Sequence, residues 1–304
     1  MKRNEKVSWR RVDPVMLDLT GKRVAVVGGT GGIGRAFSRF MSAKGASVFV
    51  VGQTFRDHGA VRIEFVKADL SLMREARRVG KELPAESLDL VLFSAGIMAA
   101  PRRQETVEGL ERDLAVSYLS RLVLVQELAP RLGTRRPGGV AKPRVFVMGF
   151  PGAGQIGAVE DLNSARSYGM MAAHMNTVAG NEILVLDSAK RYPHVNFFGL
   201  NPGLIKSNIR SNMFGPGTLR HRVAEWLIGL LSMSAETYAE RITPLMVSPD
   251  LEGHSGALFN RKGDAILPTP ALTTGYVHRF MVASEALLGR ADTRFTIHHE
   301  TPEG

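Results

Sequence analysis

The chain contains no cysteine at all. That absence excludes disulfides, thiol nucleophiles and cysteine-ligated zinc or iron–sulfur centres, and no metal site is expected. Nowhere do eighteen apolar residues run together, so no membrane span is expected. Residues 1–11 are polar and basic with no apolar stretch, which argues against a secretory signal and for a cytoplasmic protein. Aromatics make up only 7%, and 29 acids face 39 Lys and Arg, leaving a formal charge of +10. The basic residues are scattered in small groups, among them Lys2-Arg3, Arg10-Arg11 and Arg135-Arg136, with no interleaved aromatics. Such a surface is not that of a nucleic-acid interface. It suits a solvated exterior that draws in small anions.

The chain does have length and alternation. Its 304 residues, 44% of them hydrophobic, suffice for one large α/β domain. Strand-like runs fall at 24–27, 47–51, 63–67, 88–93, 144–148, 195–200 and 257–259. Helix-length stretches separate most of them, at 35–44, 72–83, 110–132 and 172–190. This alternation predicts a doubly wound parallel sheet with helices on both faces, a single domain over residues 21–268. Residues 1–20 and 269–304 read as N- and C-terminal extensions. Residues 204–243 interrupt the pattern with the apolar run 226–231. Because this segment leaves a strand end, where ligands bind in open α/β sheets, it is expected to form a helical lid, with core packing as the rival reading.

The most informative stretch is Val24 to Gly34, VAVVGGTGGIG. An apolar strand runs into Gly28, Gly32 and Gly34, with Thr30 and Ile33 between them, and a helix-like segment follows. Strand, glycine turn and helix in this order open a dinucleotide-binding βαβ unit. The missing side chains let the backbone approach a pyrophosphate. The helix start offers free N–H groups and partial positive charge. Farther on, Ala68-Asp69-Leu70 follows the third strand, Ser94-Ala95-Gly96 the fourth, and Asn201-Pro202-Gly203-Leu204-Ile205-Lys206-Ser207 the sixth.

With these motifs in this order, the chain resembles the short-chain dehydrogenase/reductase family over roughly residues 20–268. The resemblance implies a Rossmann fold, a nicotinamide dinucleotide and hydride transfer at a carbonyl or alcohol of a small apolar molecule. It implies that Asp69 contacts the adenine, with Leu70 beside it, and that the nucleoside passes over Ala95 and Gly96. Pro202 and Gly203 end the strand, and Ile205 and Ser207 hold the nicotinamide amide. At the end of the second strand Gln53 and Arg56 stand where an acid would hold a ribose 2′-hydroxyl; Arg56 suits a 2′-phosphate, so NADP is expected ahead of NAD.

The family's proton-transfer centre departs from its pattern here. The resemblance implies a Ser after the fifth strand, an Asn in the fourth helix, and a Tyr with a Lys four residues later. A free Tyr, with a pKa of about 10, is a poor base at neutral pH without a nearby cation. Phe150 stands in the Ser place, Ser117 in the Asn place, and Tyr168 is the candidate Tyr, followed at the Lys place by Ala172. Tyr168 and Ser117 are thus the catalytic candidates, with Asn176 expected on the Tyr168 face of a helix and His174 off it. Two further readings stand beside an oxidoreductase. One is a non-redox isomerase, dehydratase or cyclase on the same fold, and the other is a non-catalytic NADP-binding protein. The stretches 110–132 and 172–190 correspond to helices that pair across family interfaces, so a homodimer or homotetramer is expected through Leu119, Val123, Ile183 and Leu186.

Overall fold

The structure, a computed structural model, describes residues 1–136, 141–203 and 233–300, with side chains through Ala291. Its strands are β1 (Arg23–Val27), β2 (Ser47–Gly52), β3 (Ile63–Lys67), β4 (Leu90–Phe93), β5 (Arg144–Met148), β6 (Asn196–Leu200), β7 (Leu258–Phe259) and β8 (Ala265–Ile266). They form one sheet in the order β3-β2-β1-β4-β5-β6-β7-β8. Every pairing is parallel except β7 with β8. The central strands are runs of Val, Leu and Phe with little polar alternation, because both faces of a parallel sheet are covered by helices.

The helices are α1 (Gly32–Ala43), α2 (Met73–Glu82), α3, α4 (Met170–Arg191), α5 (Ala235–Val247) and α6 (Thr274–Glu300). Helix α3 runs on from Arg112–Leu114 through a π-helical turn, Ala115–Leu119, into Ser120–Leu128. Each face of the sheet carries its own core. One gathers Phe37, Met41, Tyr238 and Ile242 of α1 and α5. The other gathers side chains of α2, α3, α4 and α6, including Tyr118, Ile183 and Phe280. Gly180 makes the second core possible: a Cβ there would sit 2.7 Å from the Tyr118 ring, so α4 yields the space that Tyr118 fills.

Two expectations change, and a third lies mostly outside the described residues. The lid was expected over 204–243, but residues 204–232, with the apolar run 226–231, lie outside the described residues. The described part, α5, puts one face into the core and lines the cleft with Glu236 and Glu240. Tyr238, Ala239 and Ile242 are fully buried, with the Tyr238 ring edge-on to Phe37 at 5.8 Å. Leu119, Val123 and Ile183 are not on an outer face but buried within the chain, and Leu186 packs against the same core. The physical reason is that α2 packs along α3, while α6 lies along α4 and reaches Tyr118 of α3. Tyr118 donates its hydroxyl to Ser284 Oγ at 2.9 Å, and Phe280 meets the Tyr118 ring at 5.8 Å. Strand β8 was not expected at all, being only two residues of the sheet margin. Arg3 bridges Ile266 there and Trp9 donates to the Gly263 carbonyl, so the N-terminal segment covers the sheet edge.

Candidate functional site

Strand order reverses between β1 and β4, and the crevice beyond the carboxyl ends of these strands is where an open α/β sheet binds ligands. A cleft of about 1180 Å3 opens there. It is lined by Gly28, Thr30, Gly32, Ile33, Gly34, Gln53, Arg56, Asp69, Leu70, Ala95 and Gly96, all of them expected from the sequence. Arg35, Arg39, Arg112, Glu236 and Glu240 line it too and carried no motif signal.

The cleft floor is built by close approach. Gly28 has φ +92°, and a Cβ on it would sit 2.3 Å from the Ala95 nitrogen. Strand β1 can therefore turn into α1 directly against the β4 loop. At Gly31, by contrast, a Cβ would meet only the Arg56 guanidinium at 3.3 Å, so the first turn of α1 stays approachable. The free N–H groups of that turn suit a pyrophosphate.

Asp69 supplies an acceptor at the far side. Burial alone would raise its pKa, but hydrogen bonds from the Ser71 backbone, the Ser71 side chain and Gln53 hold it below the ordinary carboxylate range. The Ser71 N–H bond measures 3.0 Å, so Asp69 shapes a turn while staying ionised. At the end of β2 no acid reaches the cleft. Asp57 is clamped by Arg35, Nε to Oδ2 at 2.9 Å and a terminal nitrogen to Oδ1 at 2.7 Å. Arg56 meanwhile arches over the glycine turn and donates to the Thr30 carbonyl at 2.8 Å. The donors, acceptors and bare backbone fit a nicotinamide dinucleotide, which would supply or accept hydride when bound.

The Arg35–Asp57 clamp has a measurable signature. The hydrogen bond from Arg35 lowers the Asp57 pKa below its usual value. A carboxylate whose native pKa is depressed stabilises the fold fully above the unfolded pKa, near pH 4, and that contribution is lost as acid titrates the native group. Melting temperature followed downward from neutral pH should therefore fall less steeply for Asp57→Asn than for the wild type. Parallel curves would show that the clamp contributes nothing.

Behind the β4 loop lies a buried polar cluster on α3 and α4. The π-helical turn of α3 aims Ser117 at the loop: its Oγ accepts from Ile97 N–H at 3.0 Å and donates to Asp113 Oδ1 at 2.5 Å. Asp113 is wholly buried, and its Oδ2 lies 2.7 Å from Nδ1 of His174 on α4. Arg121, one turn farther along α3, is also buried. It donates to the carbonyls of Ala95 and Met148 and to Asn181 Oδ1, tying the ends of β4 and β5 to α4. Burial pulls its pKa down to about 9. Gly96 leaves this cluster close to the cleft: a Cβ on it would lie 3.5 Å from Ser117 Oγ and 3.6 Å from an Arg121 nitrogen.

Tyr168 stands at the edge of this cluster. Its hydroxyl donates to the Ala100 carbonyl at 2.5 Å, and burial, with the charges of Glu111 and Asp113, raises its pKa. It precedes α4, whose N-cap Gly169 is extended, so helical spacing does not carry through it. For that reason the expected faces are exchanged. Asn176 turns away, accepting from Ala158 N–H and donating to the Leu162 carbonyl, while His174 turns inward to Asp113. Asp113 carried no signal and His174 was set off the Tyr168 face; their pairing spans 61 residues of sequence and leaves no local pattern. Phe150, in the Ser place after β5, is 38% exposed. Pro202 and Gly203 turn the chain out of β6, Gly203 N–H donating to Asn201 Oδ1 at 3.0 Å, and do not line the cleft. Ile205 and Ser207 lie outside the described residues.

A mostly parallel sheet with a glycine turn at its switch point defines the class, a doubly wound Rossmann-type α/β protein. The chain belongs to the short-chain dehydrogenase/reductase family: the short chain dehydrogenase family model matches residues 22–142, and an oxidoreductase relative matches nearly the whole length. That relative, an uncharacterized oxidoreductase of Saccharomyces cerevisiae, is 50% identical over 294 residues, 95% of each chain. A polyprenol dehydrogenase of Mus musculus is 26% identical over 271 residues, 83% of this chain and 79% of its own. Among solved structures, an uncharacterized protein from Mycobacterium paratuberculosis superposes with a TM-score of 0.67 at 20% identity, covering 91% of this chain and 97% of its own. No helix among the described residues is long and apolar enough to cross a membrane.

Proposed function

We propose that the chain is an NADP-dependent oxidoreductase that transfers hydride between the dinucleotide and a carbonyl or alcohol carbon of a small apolar molecule. The observation that carries this reading is the cleft at the strand-order switch, where the glycine turn, Asp69 and the Ala95–Gly96 floor converge. Preference for NADP rests on charge. Arg35, Arg39 and Arg56 line the cleft, and the acid that follows β2, Asp57, is held by Arg35. A 2′-phosphate finds cations there, whereas the end of β2 offers a ribose 2′-hydroxyl no free carboxylate. The apolar substrate rests on the exposed Phe150 ring next to Pro151 at the end of β5, and agrees with the polyprenol named for the mouse relative.

Thermal shift with the four dinucleotides tests the assignment. A ligand at 100 times its Kd adds about 2.7 kcal/mol, so NADP or NADPH should raise the melting temperature visibly, and NAD or NADH less. Arg56→Ala should narrow the difference. Equal or absent shifts with both dinucleotide types would refute the NADP reading. A second reading, non-redox chemistry such as isomerisation, dehydration or cyclisation in the same cleft, is favoured by one observation. Phe150 and Ala172 remove the family's Ser and Lys together. It gains ground if the dinucleotide binds and its redox state never changes.

A further inference from the structure

We infer that His174, oriented by Asp113, is the proton donor and acceptor of this site, in the role that Tyr168 is not placed to fill. The inference rests on the reading of the chain as a dinucleotide-dependent oxidoreductase.

Three features of the structure converge. The Asp113 carboxylate is fully buried and accepts on both oxygens, from Ser117 Oγ at 2.5 Å and from His174 Nδ1 at 2.7 Å. A carboxylate held in this way fixes the imidazole with its proton on Nδ1 and leaves Nε2 as the exchangeable position, the logic by which an acid orients a catalytic histidine. The His174 side chain is 22% exposed, and Nε2 has no hydrogen-bond partner among the described residues. The ring is therefore fixed at one nitrogen and open at the other.

The pair is joined to the cleft wall through Ser117. Ser117, which anchors Asp113, takes the Ile97 N–H, and Ile97 and Gly96 line the dinucleotide cleft. The dyad is thus coupled to the β4 loop, at the carboxyl edge of the sheet. Tyr168 lies close by, but its hydroxyl is engaged by the Ala100 carbonyl, and Ala172 offers no cation to ease its ionisation. The charged groups that face Asp113 are Glu111 and Arg121 of α3, and Tyr168 feels the same carboxylates together with Arg103.

The chemistry balances without a further reagent. In carbonyl reduction the carbon gains a hydride from the reduced dinucleotide, the C=O π pair moves onto oxygen, and that oxygen takes the proton from Nε2 of the imidazolium. His174 is left neutral, with Nδ1–H still donating to Asp113, and regains its proton from solvent. Alcohol oxidation runs the same steps backward, Nε2 accepting the hydroxyl proton. Asp113 is a positioning residue, since it acts through the ring. Ser117 in turn positions Asp113.

Imidazole 15N NMR of the ligand-free protein, with His174→Gln to assign the signal, reads the geometry without turnover. The neutral His174 ring should carry its proton on Nδ1, and Asp113→Asn should return it to the Nε2–H form that free histidine favours. Turnover of 4-nitrobenzaldehyde with NADPH reads the chemistry. His174→Gln should lower kcat by 10²–10⁴-fold, as loss of general acid–base help does, and remove one limb of the pH profile, while leaving the NADPH thermal shift unchanged. Asp113→Asn should give a smaller loss and a displaced limb.

An Nε2–H ring in the wild type would overturn the inference. So would undiminished turnover in His174→Gln, or a loss confined to Tyr168→Phe. Wild-type protein that binds NADPH but reduces no aldehyde would overturn it while leaving the cofactor reading intact. Absence of any dinucleotide shift defeats that reading itself, whatever the NMR shows.

Discussion

Replacing Arg121 with alanine should destabilise the fold by about 3 kcal/mol or more, because it strips the donor from three buried acceptors. The guanidinium is 3% exposed and joins three acceptors that otherwise face the interior: the carbonyls of Ala95 and Met148 and the amide oxygen of Asn181. Each loses its donor in the variant, and a buried acceptor left unmade costs about 1–3 kcal/mol. Arg121→Lys should recover only part of the loss, because a single ammonium lacks the planar fork that spans two strand ends and a helix. Urea unfolding checks both variants. The midpoint should drop steeply at constant slope for alanine and by less for lysine. A change below about 1 kcal/mol for alanine would mean that water takes over the three acceptors.

Gly28→Val should abolish dinucleotide binding and strain the fold at once. The residue has φ +92°, outside what a β-branched side chain tolerates, and its Cβ would lie 2.3 Å from the Ala95 nitrogen and 2.5 Å from the Ala95 Cα. Both obstacles are backbone, so either β1 or the β4 loop must move, and the cleft floor lies between them. Gly253 supplies the control. It has φ +81°, and a Cβ on it would meet nothing within 4 Å, so Gly253→Ala carries the conformational penalty without the clash. The expected result is a fall of about 1 kcal/mol with an intact NADPH thermal shift for Gly253→Ala. For Gly28→Val, the expected result is a larger fall with no shift. An NADPH shift preserved in Gly28→Val would separate the turn from cofactor binding.

These residues also show why some of the site was legible in the sequence and some was not. Gly28 and Gly34 are demanded by backbone approach within a few residues of a strand end, and local demands leave local patterns. Asp69 was legible for the same reason, because it closes a turn two residues long with Ser71. Arg35 and Arg39 belong to the same cleft but sit on a helix face that reads as ordinary solvated surface. Asp113 and His174 meet only because α3 and α4 pack, and the π-helical turn that directs Ser117 has no signature in composition. The reading of Tyr168, Asn176 and His174 by helical spacing failed at one point, the extended Gly169, which starts α4 two residues beyond the tyrosine. The apolar residues of α3 and α4 were read as an interface between chains, but they pack within this one, against α2, α6 and the sheet.

That last helix has a consequence for the birth of the protein. The core on its side of the sheet closes through Tyr118 against Phe280 and Ser284, contacts that join the middle of the chain to its final stretch. Contacts so distant in sequence form late and slow the search. During synthesis the α3–α4 face therefore leaves the ribosome bare and waits for α6. A chain halted before α6 emerges lacks the Phe280 and Ser284 contacts to Tyr118 and keeps that apolar face incompletely covered.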